Sequence, residues 1–273
     1  MHPIAFHLGP LTIHWYGIMI AVAFLVGLWT ASLRARHANI PGERIADIVL
    51  WLMVGAILGA RFVYVTTYWK DEFADQPLSE IFMIQHGGLV YYGGLIGATL
   101  AGFIYIRWKK LPLWKVADVL APSCALGNFF GRIGCFLNGC CYGHPTQVPW
   151  AVQFPIHSYA WDMQRQQQLI GPNDPALPVH PTEIYDAVNN LLLYVLLAWL
   201  FRRRKFDGQV FALYLVGYAV TRTFMEYFRG DYPPDHIHYG LTPGMLVSIP
   251  IFIVGLALGV ILARREPTPA KRG

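Results

Sequence analysis

Residues 45–69 read IADIVLWLMVGAILGARFVYVTTYW, an apolar run of spanning length with one arginine, Arg61, set inside it. A helix needs about 20 predominantly apolar residues to cross about 30 Å of hydrocarbon. Lipid offers the backbone no hydrogen bonds, and a helix satisfies its own. The stretch therefore reads as a membrane-spanning helix. Its arginine is the anomaly: at a helix centre it costs about 2.5–3.5 kcal/mol on the insertion scale, so it calls for a partner or a ligand. Arg132 and Arg222 raise the same question inside two other apolar runs.

Six further runs reach spanning length, at residues 13–33, 87–106, 116–137, 182–201, 210–228 and 241–262. Pro122 and several glycines interrupt the run at 116–137, which marks it as a helix facing protein, where neighbours satisfy freed backbone groups. The expected fold is an all-α polytopic membrane protein, a single integral-membrane domain over residues 1–273 with seven transmembrane helices. Composition agrees, with 55% hydrophobic and 14% charged residues, against about 25% charged in soluble domains. The connection at 139–181 is rich in Pro, Gln, His and Trp and is expected to form a small extracytoplasmic subdomain between helices 4 and 5. The N-terminal string MHPIAFHLGPLTIHWYG lacks a basic leader and a small-residue cleavage site, so the first run is expected to be a retained span.

Loop charge sets the orientation. Fifteen lysines and arginines fall on one side: Arg34, Arg36 and Arg44; Arg107, Lys109, Lys110 and Lys115; Arg202, Arg203, Arg204 and Lys205; Arg264, Arg265, Lys271 and Arg272. The other side holds Lys70, Arg165 and Arg229. This bias predicts an extracytoplasmic N-terminus and a cytoplasmic C-terminus. The net charge of +5 resides in these juxtamembrane clusters, and no basic-aromatic face argues for nucleic acid.

In that topology Arg132, Arg222 and Arg61 lie five, six and eight residues before the outer ends of their helices, about 8–12 Å below them. Tyr16, Tyr91, Tyr92, Glu183 and Asp186 approach the same level, and Arg222, Glu226 and Arg229 share one helix face with Tyr218 a turn below. Two readings stand open. The arginines hold an anion, for which a lipid phosphate is the commonest candidate, or they form ion pairs that only lower the insertion cost, Arg222 with Glu226 and Arg61 with Asp186. The string GRIGCFLNGCCYG at 131–143 adds glycines that let a backbone approach an anion and an arginine fork matched to phosphate oxygens. Its Cys135, Cys140 and Cys141 with His144 fit no familiar zinc spacing, so packing by small side chains is expected, with a disulfide or a metal site as rarer alternatives.

The chain resembles the prolipoprotein diacylglyceryl transferases over nearly its whole length. The resemblance rests on Trp15-Tyr16-Gly17, Gly59-Ala60-Arg61, GGLVYYGG at 87–94, the 131–143 string, HPTEIY at 180–185, and the segment from Tyr218 to Arg229. It implies transfer of diacylglyceryl from phosphatidylglycerol to the lipobox cysteine of an exported prolipoprotein, with release of glycerol phosphate. No cofactor and no metal are implied, and the location is the bacterial inner membrane with the active site toward the outer leaflet. The family's lipid-binding arginine falls on Arg132 and its second critical arginine on Arg222, followed by Glu226 and Arg229, with tyrosines at Tyr218 and Tyr16. The catalytic set is thus Arg132, Arg222, Glu226, Tyr92 and Tyr218, and the phosphatidylglycerol-binding set Arg132, Tyr16, Asn138, Gly143, Arg229 and Arg61.

Two departures stand out. Tyr92 occupies the place of a histidine proposed elsewhere as the base, and an unperturbed tyrosine, with a pKa near 10, is a poor base, which leaves the proton to Glu226 or another group. His86 is close by in sequence. Cys135, Cys140 and Cys141 replace Asn, Glu and an apolar residue. The rival function is an anionic-phospholipid transporter or flippase using the same arginines, but seven spans do not divide into the repeated halves such proteins show. The seventh run has no lysine for an opsin-like Schiff base, and no HExxH or GxSxG supports intramembrane hydrolysis.

Overall fold

The computed structural model describes residues 3–9, 11–74, 76–83, 87–232 and 240–265. In chain order, strands β1 (Ile4–Leu8) and β2 (Leu11–His14) form an antiparallel hairpin ahead of α1 (Trp15–His37) and α2 (Gly42–Thr67). A π-helical turn at Trp69–Phe73 and a 3-10 turn at Leu78–Phe82 lead to α3 (Tyr91–Trp108) and α4 (Leu113–Asn138). Then come α5 (Tyr159–Gln166), α6 (Thr182–Phe201), α7 (Gln209–Glu226) and α8 (Pro243–Arg264).

Among the described residues, α1, α2, α4, α6 and α8 are long and apolar enough to cross a membrane. The runs predicted at 87–106 and 210–228 fold as α3 and α7, of 18 residues each, about 27 Å long. Neither is among those five, and α7 carries Arg222 and Glu226 within it. The distribution of side chains is that of a protein in lipid. Leu25, Phe62 and Leu192 are 63–69% exposed, while Asp118, Glu183, Asp186, Asn190 and Glu226 are buried. Polar groups inside and bare aliphatic surface outside identify a multi-pass membrane protein.

The chain forms two units, residues 32–116 and residues 1–31 with 117–273. In the first, α2 and α3 approach backbone to backbone. A Cβ on Gly59 would overlap the Gly93 carbonyl, and one on Gly97 would overlap the Gly55 carbonyl. Glycines four residues apart on both helices make the small-residue seam through which membrane helices pack without a hydrophobic driving force.

In the second unit Pro122 is accommodated within α4, where Pro122, Ala121 and Ala125 are buried, as expected for a helix facing protein. One turn earlier, Asp118 accepts the N–H groups of Gly208 (2.8 Å) and Phe211 (2.9 Å), with Arg204 Nε 3.6 Å away. A carboxylate at a helix N-terminus satisfies orphan donors and complements the helix dipole, so α4 caps α7 from outside. This anchor sets the register: Arg132 follows Asp118 by 14 residues, and Arg222 follows Gly208 by 14. Each arginine therefore stands about 21 Å along its helix from the shared point. The segment after α4 runs through bridges at Gly143–Arg229, Pro145–Val179 and Val152–Val179, over a small core of Tyr142, Phe154, Ala160 and Val179.

Candidate active site

The common register brings Arg132 and Arg222 to one carboxylate. Asp186 of α6, 6% exposed, lies 2.8 Å from Arg132 Nε and 4.0 Å from Arg222 Nη1. Its other oxygen accepts Asn190 Nδ2 at 2.8 Å, one turn along the same helix. Arg222 Nη2 reaches back to Glu226 Oε1 at 2.6 Å, the i,i+4 pair expected of α7. Glu226 is fully engaged. Arg229 Nη1 (3.4 Å) and the Tyr232 hydroxyl (3.3 Å) also bond Oε1, and the Thr242 hydroxyl bonds Oε2. Arg229 itself forks onto Asp231, at 2.7 Å from Nε and 3.1 Å from Nη2.

Three guanidiniums thus meet three carboxylates in one partly buried cluster, their side chains 12–20% exposed. The described contacts engage one of Arg132's five N–H donors and none of those on its terminal nitrogens. Burial works against the charge on Arg229, but its bonds to Asp231 and the nearby Cys141 sulfur outweigh this and hold it protonated. Burial likewise pushes the Tyr232 hydroxyl up to about 12, so it stays a donor to Glu226.

The remaining expected residues occupy varied places. The Tyr16 ring lies against Gly134, where an added Cβ would stand 3.1 Å from it, one residue from Cys135. Asn138 donates to Cys140 Sγ at 3.6 Å and lines a cavity of about 440 Å³ with His14, Phe154 and Tyr159. Gly143 enters through its backbone: its N–H bonds the His180 carbonyl at 2.9 Å and it bridges Arg229. A Cβ there would press on the Phe228 carbonyl at 2.6 Å, so this glycine holds Arg229 in place. Tyr218 sits a turn before Arg222, with its ring tilted against Tyr214 at 6.1 Å.

Arg61 and Tyr92 belong to the 32–116 unit. Among the described residues no carboxylate pairs with Arg61. Its nitrogens donate to the carbonyls of Ile81 (2.8 Å), Gly87 (2.7 Å), Gly88 (3.2 Å), Glu80 (2.6 Å) and Met83 (3.4 Å), between the rings of Tyr64 and Phe73. Asp186, the partner considered for Arg61, holds Arg132 and Arg222. Tyr92, in the first turn of α3, is 47% exposed and stacks edge-on with Tyr91. His86 lies outside the described residues.

A family model described as prolipoprotein diacylglyceryl transferase matches residues 3–261. The chain belongs to that family. A phosphatidylglycerol–prolipoprotein diacylglyceryl transferase of Synechococcus elongatus is 36% identical over 266 residues, covering 95% of this chain and 85% of its own length. Proteins of the same name from Idiomarina loihiensis and Bordetella avium are 35% and 34% identical, covering 97% of this chain and 95% and 96% of their own lengths.

Three members of the cluster, Asp231, Tyr232 and Thr242, carry no signal in the sequence pattern. They lie beyond the end of α7, where no helical spacing links them to Arg229 or Glu226. Glu183 is 1% exposed, on the same face of α6 as Asp186, and neither carboxylate oxygen has a hydrogen-bond partner on another described residue. The sulfurs of Cys135, Cys140 and Cys141 come within 4.8 Å of one another as free thiols, and His144 does not join them. Hydrogen bonds from Cys135 and Cys140, then the charges of Arg229 and Arg132, hold the Cys141 thiol below its usual range.

Proposed function

We propose that this chain transfers the diacylglyceryl group of phosphatidylglycerol to the lipobox cysteine thiol of exported prolipoproteins, releasing glycerol phosphate. The observation that carries this reading is the convergence of Arg132 and Arg222 on Asp186, with the terminal donors of Arg132 left over. The thiol sulfur attacks the glyceryl carbon next to the phosphate. A carbon–sulfur bond forms, the carbon–oxygen bond breaks, and its electron pair leaves on the phosphate oxygen. A phosphodiester with one negative charge becomes a monoester with nearly two. Arg132 and Arg222 meet that growing charge in a water-poor site, where fixed donors favour the transition state over the ground state.

The thiol must lose its proton to attack well. Glu226 is ill placed to take it, since two arginines and two hydroxyls hold both of its oxygens. Glu183 is the buried carboxyl beside Asp186 without such partners, and we assign it the proton. Glu226, Asp231 and Asn190 position the arginines. Tyr16 and Asn138 border the lipid.

The family membership and the loop charges support seven spans, an extracytoplasmic N-terminus and a cytoplasmic C-terminus in a bacterial inner membrane. On this reading the arginine cluster faces the outer leaflet and residues 139–181 form an extracytoplasmic subdomain where the signal-peptide end of the prolipoprotein docks. Purified protein, phosphatidylglycerol and a lipobox peptide provide the test. Glycerol phosphate release with a thioether on the peptide is expected, and lipid movement without thioether formation would favour a transporter.

A further inference from the structure

The transferase reading leaves three cysteines unused, and they meet at the edge of the arginine cluster. α4 ends in a Schellman turn: the N–H groups of Gly139 and Cys140 bond the Cys135 carbonyl at 2.9 and 3.2 Å, with Gly139 at φ +76°. This turn folds Cys140 back over Cys135. Cys141 follows at φ +70°, in the left-handed region uncommon for a residue with a side chain. Its carbonyl accepts the Thr182 hydroxyl at 2.7 Å, which fixes that conformation. The result is three thiol sulfurs within 4.8 Å of one another. Around one ion bonded to sulfur at about 2.3 Å, three sulfurs stand about 4 Å apart. Closure needs side-chain adjustments of about 1 Å and leaves the backbone where it is.

The surroundings select the ion. Among the described residues the group holds three sulfurs and no oxygen or nitrogen ligand, a set that favours a soft d10 cation. Zinc prefers a fourth ligand, and His144 is not in the group. Three thiolates around a monovalent ion carry two net negative charges, and two guanidiniums adjoin them. Arg229 Nη2 stands 3.4 Å from Cys141 Sγ, and Arg132 lies close enough for its charge to act on Cys135 and Cys141. Asn138 Nδ2 adds a donor to Cys140 Sγ at 3.6 Å.

We propose that Cys135, Cys140 and Cys141 form a three-thiolate site for a soft monovalent cation of the cuprous class, and that filling it silences the enzyme by drawing Arg132 and Arg229 onto the sulfur cluster. Copper–sulfur bonds form, the thiol protons pass to solvent, and neither metal nor sulfur changes oxidation state. The binding half stands on the sulfur geometry alone, whereas the silencing half rests on the transferase reading.

The experiment uses the reduced full-length protein in detergent, without oxygen, with Cu(I) added and a chromogenic Cu(I) chelator as competitor. Wild type and Cys124→Ser are expected to keep about one Cu(I) per chain through gel filtration. Cys135→Ser and Cys141→Asn are expected to bind at least about tenfold more weakly. Asparagine is chosen at 141 because it tolerates positive φ, and thermal unfolding shows that each variant is folded. Cu(I) should abolish glycerol phosphate release by wild type, chelator should restore it, and both variants should stay active in Cu(I). Equal retention by wild type and variants, no retention by wild type, or a disulfide among the three that excludes copper would overturn the site. A wild type that binds copper but transfers no diacylglyceryl would sink the transferase reading and leave the site standing.

Discussion

Arg61 and Arg132 present the same anomaly in sequence, a guanidinium inside an apolar helix, and the structure resolves them in opposite ways. Arg61 donates to the neutral carbonyls of Glu80, Ile81, Met83, Gly87 and Gly88, which accept from every one of its nitrogens. Arg132 holds a single described carboxylate contact, shares that carboxylate with Arg222, and keeps donors in reserve. A guanidinium saturated by backbone has no capacity for a ligand and works as a clamp on a loop. One that is ion-paired through a single nitrogen is held in place and still able to grip a phosphate. The lesson is that intramembrane charge alone does not mark a binding site. Unused hydrogen-bonding capacity beside a positioned charge does.

That contrast can be strained in order of expected effect. Glu183→Gln should lower kcat by about 10²–10⁴ if this carboxyl accepts the thiol proton. The substitution should also remove the acid limb of the pH–rate profile, which loss of packing alone would leave in place. An unchanged profile would return the proton to another group. Asp186→Asn keeps the shape but removes the carboxylate from Arg132 and leaves Arg222 paired with Glu226. Breaking a buried pair costs about 3–5 kcal/mol, and the partial exposure of Arg132 puts this one toward the low end. A lower unfolding temperature together with a raised KM for phosphatidylglycerol is expected, and an unaltered KM would argue that Asp186 does not aim the arginines. Arg61→Gln should lower the unfolding temperature while kcat/KM per folded molecule stays near wild type. Smallest of all, Tyr92→Phe should retain most activity, since an unperturbed phenol is a poor base and Tyr92 is not assigned the proton. Complete loss would revive a tyrosinate base.

Much of this was legible in the chain. Apolar run length located the long helices, and the polar side chains within α7, Arg222 and the buried Glu226, belong to the arginine cluster. The convergence of Arg132 and Arg222 followed from depth counting, which the Asp118 cap on α7 makes exact in register. What stayed hidden has physical reasons. Helix α3 begins at Tyr91 and not at residue 87 because Gly87 and Gly88 take positive φ and turn their carbonyls to Arg61. Carbonyl partners carry no side-chain signature, so Arg61's role could not be read from spacing. The N-terminal hairpin is two strands of five and four residues, too short for alternation to register. Asp231 and the cysteine cluster depend on turns after α7 and α4, where neither helical nor strand periodicity applies.

The most direct test places Arg132→Gln beside Arg61→Gln in one assay of glycerol phosphate release from phosphatidylglycerol with a lipobox peptide, normalised to folded protein. Loss of one positioned donor to developing charge costs about 10²–10³ in rate. A fall of at least that size is expected for Arg132→Gln, with turnover of wild-type order for Arg61→Gln. Wild-type turnover in Arg132→Gln, or equal loss in both variants, would contradict it.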